Sequence, residues 1–180
     1  MHVGLTGRAR TGKDTAAAAL TAAGWQRVGF ADLLREVAYA VDPIVSLGDA
    51  GHGRLAVVVD QVGWERAKDD YDDVRRFLQR LGTEGVRNHL GTHVWVEAAM
   101  ARATTPTVFT DVRFPNEAQA IRDAGGIVIR LVRPSAGPVV GHSSEEAMDG
   151  WPVDAVVAND GTPAELHAKI LGLTRTGRIT

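Results

Sequence analysis

The residues best suited to chemistry stand near the start of the chain, in "LTGRARTGKDT", Leu5 to Thr15. Gly7, Gly12 and Lys13 fall at the spacing G-x-x-x-x-G-K-[ST]. In that loop glycines let backbone N–H groups converge on phosphate oxygens, and the lysine adds a movable positive charge. Arg10 and Thr11 lie inside the loop. One position departs from the rule: the residue after the lysine should be a Mg²⁺-binding hydroxyl, but Asp14 stands there and the hydroxyl, Thr15, comes one place late. A glycine turn beside a surface lysine would show similar letters, so the flanking elements have to decide.

They favour the phosphate loop. "HVGLT" ahead of it is an apolar run of the length of a buried parallel strand. "DTAAAALTAAG" behind it is a strong helix former with Gly24 as a C-terminal stop. A helix starting there points its positive end at bound phosphate. Further along, "WQRVGF" predicts a short strand and "ADLLREVAYAV" a helix ending at Asp42-Pro43. "SLGDAGHGRL" reads as a glycine-rich loop. Residues 55–91 read mostly as helix, and "VWVEAAMARA" as another. "TVFTDVR" predicts a strand ending at Asp111, "NEAQAIRDAGG" a helix, "GIVIRLVRP" a strand and "DAVVAND" a last strand. The final helix has Thr162 as cap and Pro163 in its first turn. Strands alternating with helices predict an α/β fold with a parallel sheet covered on both faces.

Composition narrows the function. The 180 residues are enough for one domain, with 44% apolar and 23% charged residues. A net charge of −2 gives no general affinity for nucleic acid or membrane, so any anion site must be local. The absence of cysteine excludes disulfides, thiolate metal sites and cysteine nucleophiles. "MHVGLTG" lacks the pattern of a signal peptide, and no apolar run approaches the ~20 residues of a membrane span. The expected location is the cytoplasm.

Asp111 and Arg113 close the "TVFTDVR" strand at the edge where open α/β sheets bind ligands. Beside a phosphate loop such a carboxylate orients Mg²⁺, directly or through water, and such an arginine meets a phosphate. The alternatives are an aspartate capping the turn and an ion pair between Arg113 and Glu117. His89 and His93 have the spacing of two helical metal ligands, but Gly91 interrupts them and no third ligand is evident. His142 beside Ser143 lacks the G-x-S-x-G context of a hydrolase.

"GRARTGKDT", "LQRLGTEGVR", "DVRFPNEA", "GHSSEE" and "NDGTPAEL" occur in an order that resembles the phage-type deoxynucleoside monophosphate kinases, in the nucleoside monophosphate (NMP) kinase branch of P-loop proteins. The likeness runs through nearly the whole chain. Related loops of the adenylate kinase type read G-K-G-T, with the hydroxyl one place late, as here. The resemblance implies an NMP-kinase-like P-loop domain: a core over about 1–30 and 105–180, a helical NMP-binding region over about 31–95, and a short lid over about 134–150. It implies transfer of the γ-phosphoryl of ATP to a deoxynucleoside monophosphate, with Mg²⁺, and host cytoplasm for a phage-encoded chain. ATP would be held by Gly7, Arg10, Thr11, Gly12, Lys13, Asp14 and Thr15, with the adenine near Asn159 and Gly161. Lys13, Asp111, Arg113 and Arg133 would serve transfer, and Asp14 with Asp111 would orient Mg²⁺ mainly through its water shell. On the acceptor side stand Phe30, Arg35, Arg80, Arg87 and Trp95; a core Phe30 and a surface Arg35 are equally open, and the first reading of Trp95 is a packing anchor. No nucleic acid or membrane partner is implied; a homodimer stays open, though no heptad seam or apolar patch singles out an oligomer. Two other readings stay open: a kinase for another small acceptor, such as dephospho-coenzyme A, and a P-loop nucleotide switch.

Overall fold

The structure, a computed structural model, describes residues 1–134 and 147–176. In chain order the elements are β1 (His2–Thr6), α1 (Lys13–Ala22), β2 (Gln26–Val28), α2 (Asp32–Val41), β3 (Ile44–Ser46), β4 (His52–Arg54), α3 (Leu55–Asp70) and α4 (Asp72–Gln79). A π-helical segment, Arg80–Arg87, leads to α5 (Asn88–Leu90), α6 (Val94–Arg102), β5 (Thr107–Phe109), α7 (Pro115–Asp123), β6 (Ile127–Val132), β7 (Ala155–Ala158) and α8 (Pro163–Thr176). Two compact units result: one of residues 1–30 and 99–180, the other of residues 31–98.

The first unit is built on a five-stranded parallel sheet in the order β2-β5-β1-β6-β7. Alternate residues of its strands point to opposite faces, and here both faces are apolar. On one, Val3, Leu5, Val108, Ile129, Leu131 and Val157 pack with Ala16, Ala17 and Leu20 of α1 and Leu166 and Ile170 of α8. The alanines of α1 let that helix lie close to the strands. On the other face Gly4 is lined by Ile121 of α7 together with Val112 and Val128. The chain leaves β1 towards β2 on one side and crosses from β5 to β6 on the other, so the carboxyl edge beside β1 is a topological switch point.

The second unit has its own core of Ala38, Val45, Leu55, Val58, Ala67, Val74 and Leu78. The "SLGDAGHGRL" stretch, expected as loop, forms a hairpin in which β3 and β4 pair antiparallel around Gly48–Ala50. Tertiary contacts hold these three-residue strands: Val45 is buried, and the Ser46 N–H donates to Asp73 Oδ2 of α4 at 2.8 Å. That bond, helped by Arg76 at 2.9 Å, keeps the Asp73 carboxyl below its usual pKa. The expected helix over 55–91 is present but broken: Gly63 sits at φ 78° inside α3, and the path turns π-helical after Gln79.

In the β5 strand, the ladder stops at Phe109, so Asp111 lies in the loop beyond the strand rather than at its last position. Terminal helix α8 starts as expected: the Glu165 N–H donates to Thr162 Oγ1 and the Thr162 N–H to Glu165 Oε2.

Gly126 leads into β6 where a Cβ would lie 2.7 Å from His2 O and 2.8 Å from Ile121 O, both backbone atoms. Gly126→Ala should therefore lower stability by about 1–3 kcal/mol, a typical overpacking cost. For a domain of this size that is roughly 2–4 °C of Tm per kcal/mol, and thermal unfolding will measure it.

Candidate active site

The strands run parallel, so every loop after a strand end opens on one edge of the first unit's sheet. That edge collects Gly7–Lys13 after β1, Asp111–Arg113 after β5, Arg133 after β6 and Asn159–Thr162 after β7.

The loop after β1 is shaped by what its glycines lack. Gly7 has φ +136°, and a Cβ there would lie 2.3 Å from Leu131 O. Gly12, at φ +98°, forms the cap of α1, where a Cβ would lie 2.4 Å from Asn159 Nδ2. Arg10 also takes a left-handed conformation, φ 62°. Thr11, buried, donates its hydroxyl to Arg8 O at 2.9 Å. Lys13 folds over the loop and donates Nζ–H to Gly7 O at 2.7 Å and Arg8 O at 2.9 Å. Its charge is thus held at the loop by acceptors that a phosphate oxygen can replace. Asp14 is exposed in the first turn of α1, where the helix dipole favours an anion. Thr15 is half-buried beside it.

Asn159 has a structural use that its sequence position did not reveal. Its side chain is 9% exposed and donates Nδ2–H to Thr11 O at 3.0 Å, tying the end of β7 to the phosphate loop. Gly161 follows, with its Cα beside the Glu165 carboxylate.

Asp111 Oδ1 accepts the Phe30 N–H at 2.7 Å. Phe30 itself is 3% exposed and stacks on Phe109 with ring centroids 5.1 Å apart, so its ring takes the core position. Glu117 does not serve Arg113 as the ion-pair alternative had it: Oε2 accepts the backbone N–H groups of Arg113 at 2.7 Å and Phe114 at 3.1 Å. Pro115 at the first helical position and Glu117 two later carried that capping signal in the sequence. Arg10, Arg113 and Arg133 are exposed, and their guanidinium groups make no ion pair with the described residues. Most other arginines do: Arg8 pairs with Asp149, Arg122 with Asp154 and Arg75 with Asp69. The segment that would form most of the lid, with His142, Ser143 and Ser144, lies outside the described residues.

The oxygen-only pair Asp14 and Asp111 suits Mg²⁺, which keeps several waters and takes one or two carboxylates together with substrate phosphates. Among the described residues no group of three or more His, Asp or Glu could cage a metal, and His89 and His93 form no such group.

In the second unit Arg80 lines a cleft of about 460 Å³ with Ile44, Val45, Asp73, Arg76 and Phe77, within the size range of ligand pockets. Arg80 Nε lies 3.6 Å from Glu84 Oε2, and Arg35 donates to Glu65 Oε1 at 3.0 Å. Arg87 is half-buried at the end of the π-helical segment. Trp95 is 5% exposed, and its Nε1–H donates to Gly82 O at 3.0 Å. Sequence spacing gave no sign of that bond, because it depends on a helix irregularity.

A parallel sheet with a glycine-rich loop feeding its first helix, and lysine at that helix's start, defines a P-loop kinase fold. The shikimate kinase structure from Aquifex aeolicus vf5 shares it, with a TM-score of 0.50 and 12% identity over 98% of this chain and 97% of that one. The family model described as deoxynucleotide monophosphate kinase matches residues 56–170. An Acanthamoeba polyphaga mimivirus protein, provisionally named deoxynucleotide monophosphate kinase, is 30% identical over 94% of this chain and 93% of its own length. The deoxynucleotide monophosphate kinase of Enterobacteria phage T4 is 30% identical over 57% of this chain, and the match spans 45% of the phage protein. The chain belongs to the deoxynucleotide monophosphate kinase family.

The Asn159–Thr11 bond leads to a prediction. Asn159→Ala leaves the buried Thr11 carbonyl without this donor, which should cost about 1–3 kcal/mol, and frees the loop to widen. Melting should fall, and the Kd for ATP in a direct titration should rise severalfold.

Proposed function

We propose that this protein transfers the γ-phosphoryl group of ATP to a deoxynucleoside monophosphate, giving ADP and the deoxynucleoside diphosphate. The observation that carries this reading is Lys13, held over the glycine loop by two carbonyls at the sheet's carboxyl edge, in a chain of this family. ATP is assigned to the first unit. The N–H groups of the loop and the positive end of α1 take the phosphates, and Lys13 exchanges the Gly7 and Arg8 carbonyls for phosphate oxygens. Thr15 hydrogen-bonds a phosphate. Asn159–Thr162 lie where the adenine is held.

The acceptor is assigned to the second unit, with Arg80, Arg87 and Arg35 available to its phosphate. Transfer brings two anionic groups together, and the migrating phosphoryl carries charge on three oxygens. Arg113 and Arg133 answer that charge, their guanidinium groups being uncommitted among the described residues. Asp14 and Asp111 would hold Mg²⁺, which would supply positive charge to offset that of the phosphates. Asp111 is oriented for this by the Phe30 N–H. The attacking atom here is an oxygen of the acceptor's phosphate, already ionised, so no general base is required, and positioning with electrostatic stabilisation supplies the rate.

The test is a panel of acceptors under coupled ADP detection: deoxynucleoside monophosphates, ribonucleoside monophosphates and dephospho-coenzyme A. Deoxynucleoside monophosphates should turn over best, with ATP and Mg²⁺ both required. Activity confined to dephospho-coenzyme A, or better turnover of ribonucleotides, would overturn the reading.

Two variants probe the assigned roles. Lys13→Ala should lower kcat by on the order of 10²–10³, as loss of one electrostatic donor does elsewhere, while melting changes little. Asp14→Asn keeps the shape and removes the charge: the Mg²⁺ concentration for half-maximal rate should rise severalfold at nearly constant Tm. An unchanged Mg²⁺ titration with a clear drop in Tm would assign Asp14 to the helix start alone.

A further inference from the structure

Residues 72–90 follow one helical path whose hydrogen-bond ring changes size part-way. It is α-helical to Gln79, π-helical over Arg80–Arg87, and α-helical again from Asn88. A π turn bonds residue i to i+5, is rare, and occurs mostly as single-turn bulges, often at functional sites. Eight residues in that form need support from outside the segment.

Leu81 packs on the core of the second unit, and two further contacts meet at Gly82. The residue is buried, and a Cβ there would stand 2.9 Å from Leu34 Cδ2, so the segment is seated on α2 where it carries no side chain. The Gly82 carbonyl accepts the Trp95 indole N–H at 3.0 Å, a bond in the buried interior of the second unit. An indole has one donor and no acceptor. This bond is therefore the one conventional hydrogen bond open to the indole, and it ties the first turn of α6 to the middle of the irregular helix.

Changing the ring size shifts the register of every later residue relative to the face of α4. Arg80 stands at the entry of the segment and Arg87 at its exit, so their relative placement depends on the turn staying π-helical. We propose that Trp95 is a positioning residue for the acceptor: through the Gly82 carbonyl it holds Arg80–Arg87 in the register that sets Arg87 with respect to Arg80. The proposal rests on the assignment of these arginines to the acceptor phosphate. It gives Trp95 a role through its ring nitrogen, without contact to the acceptor base.

Trp95→Phe keeps an aromatic ring in the site and removes the N–H. Its KM values for deoxynucleoside monophosphate and ATP, its kcat and its Tm are compared with those of the parent and of Arg80→Ala. The expected result is a rise of about tenfold in the acceptor KM, the equivalent of ~1.4 kcal/mol, at unchanged ATP KM. A lower Tm with both KM values unchanged, while Arg80→Ala does raise the acceptor KM, overturns the positioning role and leaves the acceptor assignment standing. If neither variant moves the acceptor KM, both fall. Should Trp95→Phe fail to fold, the Trp95 indole ¹H–¹⁵N resonance of the parent is followed instead. It should shift on adding deoxynucleoside monophosphate and hold still on adding ATP; no response to the monophosphate overturns the proposal.

Discussion

The first unit is organised around a loop that has no room for two Cβ atoms. At Gly7 the space is taken by the Leu131 carbonyl of β6, and at Gly12 by the Asn159 amide just beyond β7. These contacts make the phosphate loop a joint product of three strand ends. β6 sets how closely the loop folds over the sheet, and the Asn159 side chain holds the Thr11 carbonyl. With carbonyls occupied in this way, by Asn159, Lys13 and Thr11, the loop's backbone is biased to present donors to an anion.

A second constraint follows from the first. A loop that presents backbone N–H groups attracts anions of any kind, and specificity must come from elsewhere. The division of the chain answers this. The glycine loop lies in the unit of residues 1–30 and 99–180, and the cleft lined by Arg76 and Arg80 lies in that of residues 31–98, with its own apolar core. Each unit buries its own hydrophobic residues, so changes in one core need not propagate into the other.

Much of the first unit was legible because local pattern and tertiary role agree there. "HVGLT" buries Val3, Gly4 and Leu5 in a row, α1 is rich in helix formers, and Thr162 with Pro163 and Glu165 announces a helix start. The G-K spacing located the loop by chemistry alone. What escaped was decided at a distance. The β3–β4 hairpin is too short and glycine-rich to declare itself, and it depends on Asp73, 27 residues away. The π-helical segment meets Trp95 and Leu34 at Gly82, and no periodicity in "RLGTEGVR" encodes it. Phe30 and Arg113 had two readings each from sequence. Phe30 is buried against Phe109, and the Glu117 carboxylate accepts backbone N–H groups.

The parallel order β2-β5-β1-β6-β7 has a consequence for how the chain is made. β1 is flanked by β5 and β6, and His2 pairs with Thr107 and Val3 with Ile127. On the ribosome, at roughly 5–20 residues per second, β1 waits on the order of 5–20 s for its first neighbour while the whole of residues 31–98 emerges. Val3 and Leu5, fully buried in the finished protein, have no sheet to join during that interval. The second unit, built mostly from contacts near in sequence, can reach its own structure first. A nascent chain of this design presents an unpaired apolar strand to the cell's chaperones before it presents a nucleotide site.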